Sequence, residues 1–147
     1  MLFRSLDALA DSGERSLAAL VQSLAPEKGL AILTEGLINY FDTPAVLGMW
    51  RRFAAALAGF PHGLYLSDLH LAAQVSLGEQ VFARVLGAFV RGRVYLHFGS
   101  ELEAETALLG SGFARAQLRV PEPQMNDGGF VDSKGASLVR VVCAGIG

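Results

Sequence analysis

The chain has 147 residues, a net charge of −2 from 12 Lys and Arg against 14 Asp and Glu, and 52% hydrophobic residues. This length allows about one domain; the hydrophobicity excludes a disordered tail, and the weak charge excludes nucleic-acid binding by bulk electrostatics. The longest uncharged run, Phe53 to Ser67, has 15 residues interrupted by Gly59, Pro61 and Gly63, short of the roughly 20 apolar residues of a membrane span.

Ser16 to Leu24 reads as a helix with Leu17, Leu20, Val21 and Leu24 facing inward. Leu30-Ala31-Ile32-Leu33 is a short apolar run without alternation, which suits a strand buried on both faces, as in a parallel sheet. Thr43 is placed as an N-cap with Pro44 at the first helical position. Val46, Trp50, Phe53, Leu57 and Phe60 then recur at steps of 4, 3, 4 and 3, one apolar stripe with Arg51 and Arg52 off it. Gly63 to Ser67 is a second buried strand, opened by Pro61 and closed by Asp68. Strand, helix and strand at this spacing form a right-handed parallel crossover.

A second helical stretch runs from about Ala72 to Val90, with Val81, Phe82, Val85, Leu86 and Phe89 on one side. Val94 to Phe98 is a short extended piece. Ser100 with Glu103 makes a capping box for a helix stopped by Gly110 and Gly112. Ala114, Ala116, Leu118 and Val120 alternate with Arg115, Gln117 and Arg119, the pattern of a half-buried strand near a sheet edge. Leu138 to Ala144 is the last strand, joined to it as an antiparallel hairpin through Asn126-Asp127-Gly128-Gly129.

The fold class expected is α/β, with parallel strands and helices ending in an antiparallel hairpin. The all-apolar run 30–33 wants a neighbour on each side, and the helical stretch before it supplies none, so the chain reads as part of a larger sheet with a hydrophobic edge. Met1 to Ala10 shows no basic segment followed by an apolar one, and the single Cys143 allows neither an internal disulfide nor a Cys-based zinc site. A cytoplasmic location without a bound metal is the expectation.

Thr34-Glu35-Gly36-Leu37-Ile38-Asn39-Tyr40-Phe41, directly after the first strand, resembles class I S-adenosylmethionine-dependent methyltransferases, and within them the leucine carboxyl methyltransferase-like group of small-molecule O-methyltransferases. In that group a Glu-Gly-Leu-x-x-Tyr stretch follows the fourth strand. Gly63 to Leu71 resembles the fifth strand and its loop. Leu108-Leu109-Gly110-Ser111-Gly112-Phe113 resembles the lead into the last hairpin, with one residue fewer before the Gly-Phe pair. The resemblance spans about residues 17–147 and implies the C-terminal half of a seven-stranded sheet. Residues 1–147 are then a single partial domain, without the glycine-rich turn and ribose-holding acid of the N-terminal half. Gly110-Ser111-Gly112 does not replace that turn, because it follows a helix and Arg115 stands where a third glycine belongs.

Glu35 stands at the carboxyl end of a buried parallel strand, where open α/β sheets bind ligands. Its carboxylate can accept hydrogen bonds from an ammonium group, and the resemblance implies that contact with the methionine part of S-adenosyl-L-methionine, together with Gly36 and Leu37. The alternative is a helix-starting Glu satisfied by backbone N–H groups. Gly36 either lets the cofactor approach the backbone or only permits a turn. Tyr40 either lines an acceptor pocket or packs against the sheet. Asp68 and His70 follow the next strand end; they can act as a base pair for a hydroxyl acceptor, shape the pocket, or serve as a cap and a loop residue.

His62 and His97 read as turn or surface residues, Cys143 as a small buried hydrophobe, and Arg51, Arg52, Arg91 and Arg93 as solvated. Two functions fit. One is methyl transfer from S-adenosylmethionine to an oxygen of a small-molecule acceptor, carboxylate or hydroxyl, by a protein of which this piece alone is inactive. The other is a non-catalytic module that pairs with a partner chain, or with itself, through its open strand edge.

Overall fold

In chain order the elements are helix α1 (Leu17–Val21), strand β1 (Leu30–Thr34), a 3-10 turn (Ile38–Tyr40), α2 (Thr43–Leu57), β2 (Gly63–His70), α3 (Glu101–Gly110), β3 (Arg115–Arg119), β4 (Met125–Asn126), β5 (Gly129–Phe130) and β6 (Val139–Ile146). The computed structural model describes residues 5–72, 95–121, 125–126, 129–130 and 139–147. Apart from Ala72, the helix expected over about 72–90 lies outside the described residues, as do Arg91 and Arg93. The main sheet has the order β1-β2-β6-β3. β1 and β2 are parallel, with Leu30 beside Gly63 and Thr34 beside Ser67. β6 is antiparallel to β2 and to β3, the expected hairpin, and β4 and β5 form a two-residue antiparallel pair of their own.

One face of the sheet carries the core. Tyr65, Leu69, Val142, Ala144 and Leu118 are buried there against Val46, Met49, Trp50, Phe53 and Leu57 of α2 and Ala104 and Leu108 of α3. Phe60, the last residue of the α2 stripe, is buried too. The rings interlock: Trp50 stacks on Phe98 at 5.4 Å, and Tyr65 meets Phe53 at 5.2 Å and Phe113 at 5.7 Å. Gly63 is needed where β2 starts against the end of α2, since a Cβ there would lie 2.8 Å from the Leu57 Cβ. α2 starts one residue earlier than its cap assignment supposes. Asp42 is the N-cap and accepts the Ala45 N–H, a stronger acceptor than a hydroxyl, so Pro44 is the second helical residue.

The opposite face is half-buried or exposed. It carries Ala31 and Leu33 of β1, Leu64, Leu66, Asp68 and His70 of β2, Val139, Val141 and Cys143 of β6, and Arg115, Gln117 and Arg119 of β3. Leu33 is 72% exposed. β1 is therefore not covered on both faces, since Ala31 and Leu33 are exposed, and it is an edge strand in this chain, since its outer side pairs with no described residue. Cys143, read as buried, is half-exposed on this face.

The two edges are unlike. On β3, Arg115 and Arg119 are charged, and Glu105 Oε1 accepts the Leu118 N–H at 2.8 Å, occupying a backbone donor that β6 does not use. Charged side chains and capped donors are how natural edges resist pairing. β1 has no charged residue.

Other expectations shift in detail. α1 is shorter than Ser16 to Leu24, with Ser16 as N-cap; Leu17 is buried, while Leu24 is exposed. The Ser100 cap accepts the Glu103 N–H, but the Glu103 carboxylate takes the Gly99 N–H rather than that of Ser100. Residues 95–98 form no strand. Their backbone bonds go singly, Tyr95 N–H to Asn39 O and Ala72 N–H to Phe98 O, and build no ladder.

His97 anchors the segment after β1 instead of serving as a surface residue. Its Nε2–H donates to Ile38 O at 3.2 Å, which leaves Nδ1 to accept from the Thr43 hydroxyl at 3.1 Å. That arrangement is the neutral ring. Burial lowers the His97 pKa below the ordinary 6.5, outweighing the Ile38 carbonyl and the Asp42 charge, which raise it. The unfolded chain therefore binds the proton more readily, so this contribution is complete above about pH 6.5 and fades as pH falls toward the depressed folded value. Chemical denaturation of wild type and His97→Gln should show the wild-type advantage shrinking on acidification below that pH. An advantage that grows there would contradict the neutral clamp.

Candidate functional site

The parallel pairing of β1 and β2 brings their carboxyl ends together, so the loop 35–40 and residues 68–70 share one end of the sheet. A directed chain of hydrogen bonds stiffens that end. Trp50 Nε1–H donates to Tyr65 Oη at 3.3 Å; Tyr65 and Thr34 lie 3.0 Å apart; Thr34 donates to Ser67 Oγ at 2.8 Å; and Ser67 donates to Asp68 O at 3.1 Å. Because the Thr34 proton goes to Ser67, Tyr65 must be the donor to Thr34. Tyr65 is fully buried, and burial raises its pKa above 10.0 despite these bonds. It is a neutral phenol in a structural relay.

Beyond the relay the chain turns at Gly36, whose φ of +60° is a left-handed conformation that glycine adopts without the cost a side chain brings. Asp68 Oδ1 accepts the Gly36 N–H at 2.8 Å. The turn is thus held from the neighbouring strand, and Asp68 caps it rather than the segment after β2. Glu35 is exposed. No described residue donates to its carboxylate, so backbone N–H groups do not satisfy it. An exposed carboxylate at the carboxyl end of a parallel strand can accept from a cationic ligand.

Leu37 is partly buried and packs on the core, directly before the 3-10 turn. Tyr40 is 53% exposed, which sets aside packing against the sheet. Asp68 and His70 lie on the open face, as their spacing implies, but do not bond to each other: Asp68 holds Gly36, and His70 Nδ1 lies 3.1 Å from Asn39 Nδ2. Sequence reasoning missed Thr34, Asn39, Tyr65 and His97. The only advance signal was alternation, which puts Tyr65 and Ser67 on one face of β2. His62 stays in its turn role, its carbonyl accepting the Leu30 N–H. Arg51 is exposed, but Arg52 donates to Asp11 at 2.7 Å. Among the described residues no group of three or more His, Cys, Asp or Glu could hold a metal ion, and no helix is long and apolar enough to cross a membrane.

No protein-family model matches the chain, and no curated protein matches it in sequence. Solved structures do match in fold. The S-adenosylmethionine-dependent methyltransferase SibL, in its apo form, superposes with a TM-score of 0.56 at 13% identity, over 97% of this chain and 35% of its own length. An O-methyltransferase family protein from Burkholderia thailandensis gives 0.50 at 12%, over 79% of this chain and 30% of its own. PigF, solved with SAH, gives 0.50 at 14%, over 90% of this chain and 36% of its own. The chain thus spans about a third of the length of each. It has a mixed α/β fold, with one parallel pair and an antiparallel hairpin, that matches part of the S-adenosylmethionine-dependent methyltransferase fold.

Proposed function

We propose that the chain is the C-terminal half of a cytoplasmic S-adenosylmethionine-dependent O-methyltransferase of the leucine carboxyl methyltransferase-like group, and that the piece alone is inactive. The observation that carries this reading is the exposed Glu35 carboxylate, to which no described residue donates, beside the Gly36 turn that Asp68 holds. These residues fit the cofactor: Glu35 would accept from its ammonium group, while Gly36 and Leu37 would present backbone to it. Bound S-adenosylmethionine supplies a transferable methyl group. Tyr40, Asp68 and His70 would face a small-molecule acceptor and fix its oxygen in line. Such positioning is worth up to about 7–11 kcal/mol of a barrier. The uncovered sheet face and uncharged β1 edge support an upstream half, carrying a glycine-rich strand–turn–helix, that completes the sheet.

Calorimetry of the 147-residue chain with S-adenosylmethionine should show no binding in the low micromolar range; such binding would remove the partial-domain reading. In the longer protein Glu35→Ala should weaken cofactor binding about ten- to a hundredfold, the loss of one charge-assisted hydrogen bond of about 1.5–3 kcal/mol. Unchanged affinity would remove the role of Glu35.

The exposed Leu33 and the contrast between the two edges favour a second reading, a module that associates with itself through β1. Under it, sedimentation shows a concentration-dependent dimer that Leu33→Lys returns to monomer with the fold intact. A wild-type monomer at all concentrations excludes it.

A further inference from the structure

The pairing of His70 with Asn39 assigns a chemical role that neither sequence pattern nor fold gives. Asn39 sits in the 3-10 turn Ile38–Tyr40. The Tyr95 N–H on its carbonyl and the His97 ring on the carbonyl of Ile38 hold that turn. Its side-chain amide reaches across to β2, with Nδ2 lying 3.1 Å from His70 Nδ1. Its Oδ1 is shielded from solvent and has no partner. An amide nitrogen only donates, so Nδ1 must be the acceptor and the ring proton must sit on Nε2. In this orientation Nδ2 donates to His70, and Oδ1 stays buried without a partner. Buried under-satisfied carbonyls are commoner than buried N–H groups without partners.

We propose that Asn39 is a positioning residue that locks His70 as a neutral Nε2–H donor, so that His70 binds the acceptor oxygen and is not its general base. A ring nitrogen that already carries its proton cannot remove one from a hydroxyl, whereas it can donate to an oxygen that arrives deprotonated. Resting on the methyltransferase reading, the acceptor is therefore an oxyanion, such as a carboxylate or an ionised enol or phenol. In the transfer the sulfonium carbon–sulfur bond breaks as the carbon–oxygen bond forms. The oxyanion supplies the electron pair, the sulfur leaves as a neutral thioether, and no proton moves.

The lock is tested on the chain itself by long-range proton–nitrogen NMR, with the His70 ring assigned by its loss in His70→Gln. Wild type should show Nε2 protonated and Nδ1 bare. Asn39→Asp, which can only accept, should move the proton to Nδ1, and Asn39→Ala should give a mixture; dispersed amide spectra establish that each variant is folded. A wild-type ring protonated on Nδ1, or an Asn39→Ala ring indistinguishable from wild type, overturns the proposal. In the longer protein, His70→Ala should lose at least tenfold in kcat/KM, and His70→Gln, which keeps an N–H donor, should lose several-fold less than His70→Ala. Equal losses in both would mark a base. A longer protein without any methyl transfer would refute the methyltransferase reading, while the NMR spectra would still decide the tautomer that Asn39 imposes.

Discussion

The parallel pairing of β1 with β2 is the constraint from which the rest of the site follows. It sets Thr34 beside Ser67, residues 33 apart in sequence, and so places two carboxyl-terminal strand ends side by side. Only then can Asp68 reach the Gly36 N–H and His70 reach Asn39. Parallel strands carry the same polarity at the same end, which is why open α/β sheets bind ligands there. Buried hydroxyls reinforce the geometry. Each link from Trp50 to Asp68 O has one donor and one acceptor, so the relay has a single consistent direction, and removing a link would leave a buried polar group unpaired at a cost of about 1–3 kcal/mol.

The second feature is asymmetry. Aromatic packing concentrates on one face, where Trp50 stacks on Phe98 and Tyr65 packs between Phe53 and Phe113. The other face places Leu33, Leu64, Leu66 and Val141 beside the polar row of β3. A strand pair with parallel polarity normally has both faces covered, and an apolar uncharged edge is one that natural proteins otherwise guard. β3 is guarded by Glu105, Arg115 and Arg119; β1 is not. Both departures sit on the same side of the molecule, around Ala31 and Leu33, and a single further layer of sheet and helices would resolve them.

Much of the fold was legible because period and punctuation agreed. The α2 stripe, the alternation of β3 and the Ser100 cap each rest on local rules that tertiary contacts did not override. The one-sided exposure of β1 was not legible, since an apolar run of four residues reads the same at a sheet centre and at an edge. Thr43 misled because two adjacent residues can cap a helix, and the carboxylate of Asp42 took the place. The candidate site was half legible: Glu35 and Gly36 follow from the end of β1, but Asp68 and His70, expected after a strand that stops at Ser67, lie within β2, which runs on through His70. Asn39 and His97 were not legible, because their partners lie 31 and 59 residues away and no spacing announces such a contact. His97 shows the difference most plainly. With no acidic neighbour in sequence it reads as incidental, yet its ring joins Thr43 to the turn that carries Asn39.

The proposal that β1, an edge strand in this chain, gains an outer neighbour in a longer protein is tested most directly by amide hydrogen exchange. Leu30 N–H bonds to His62 O, and parallel ladders alternate, so the N–H groups of Ala31 and Leu33 point away from β2. They should exchange rapidly in the isolated chain and become protected by orders of magnitude in the longer protein. Strong protection of both amides in a monomeric isolated chain would show that the edge is already covered and would contradict the account.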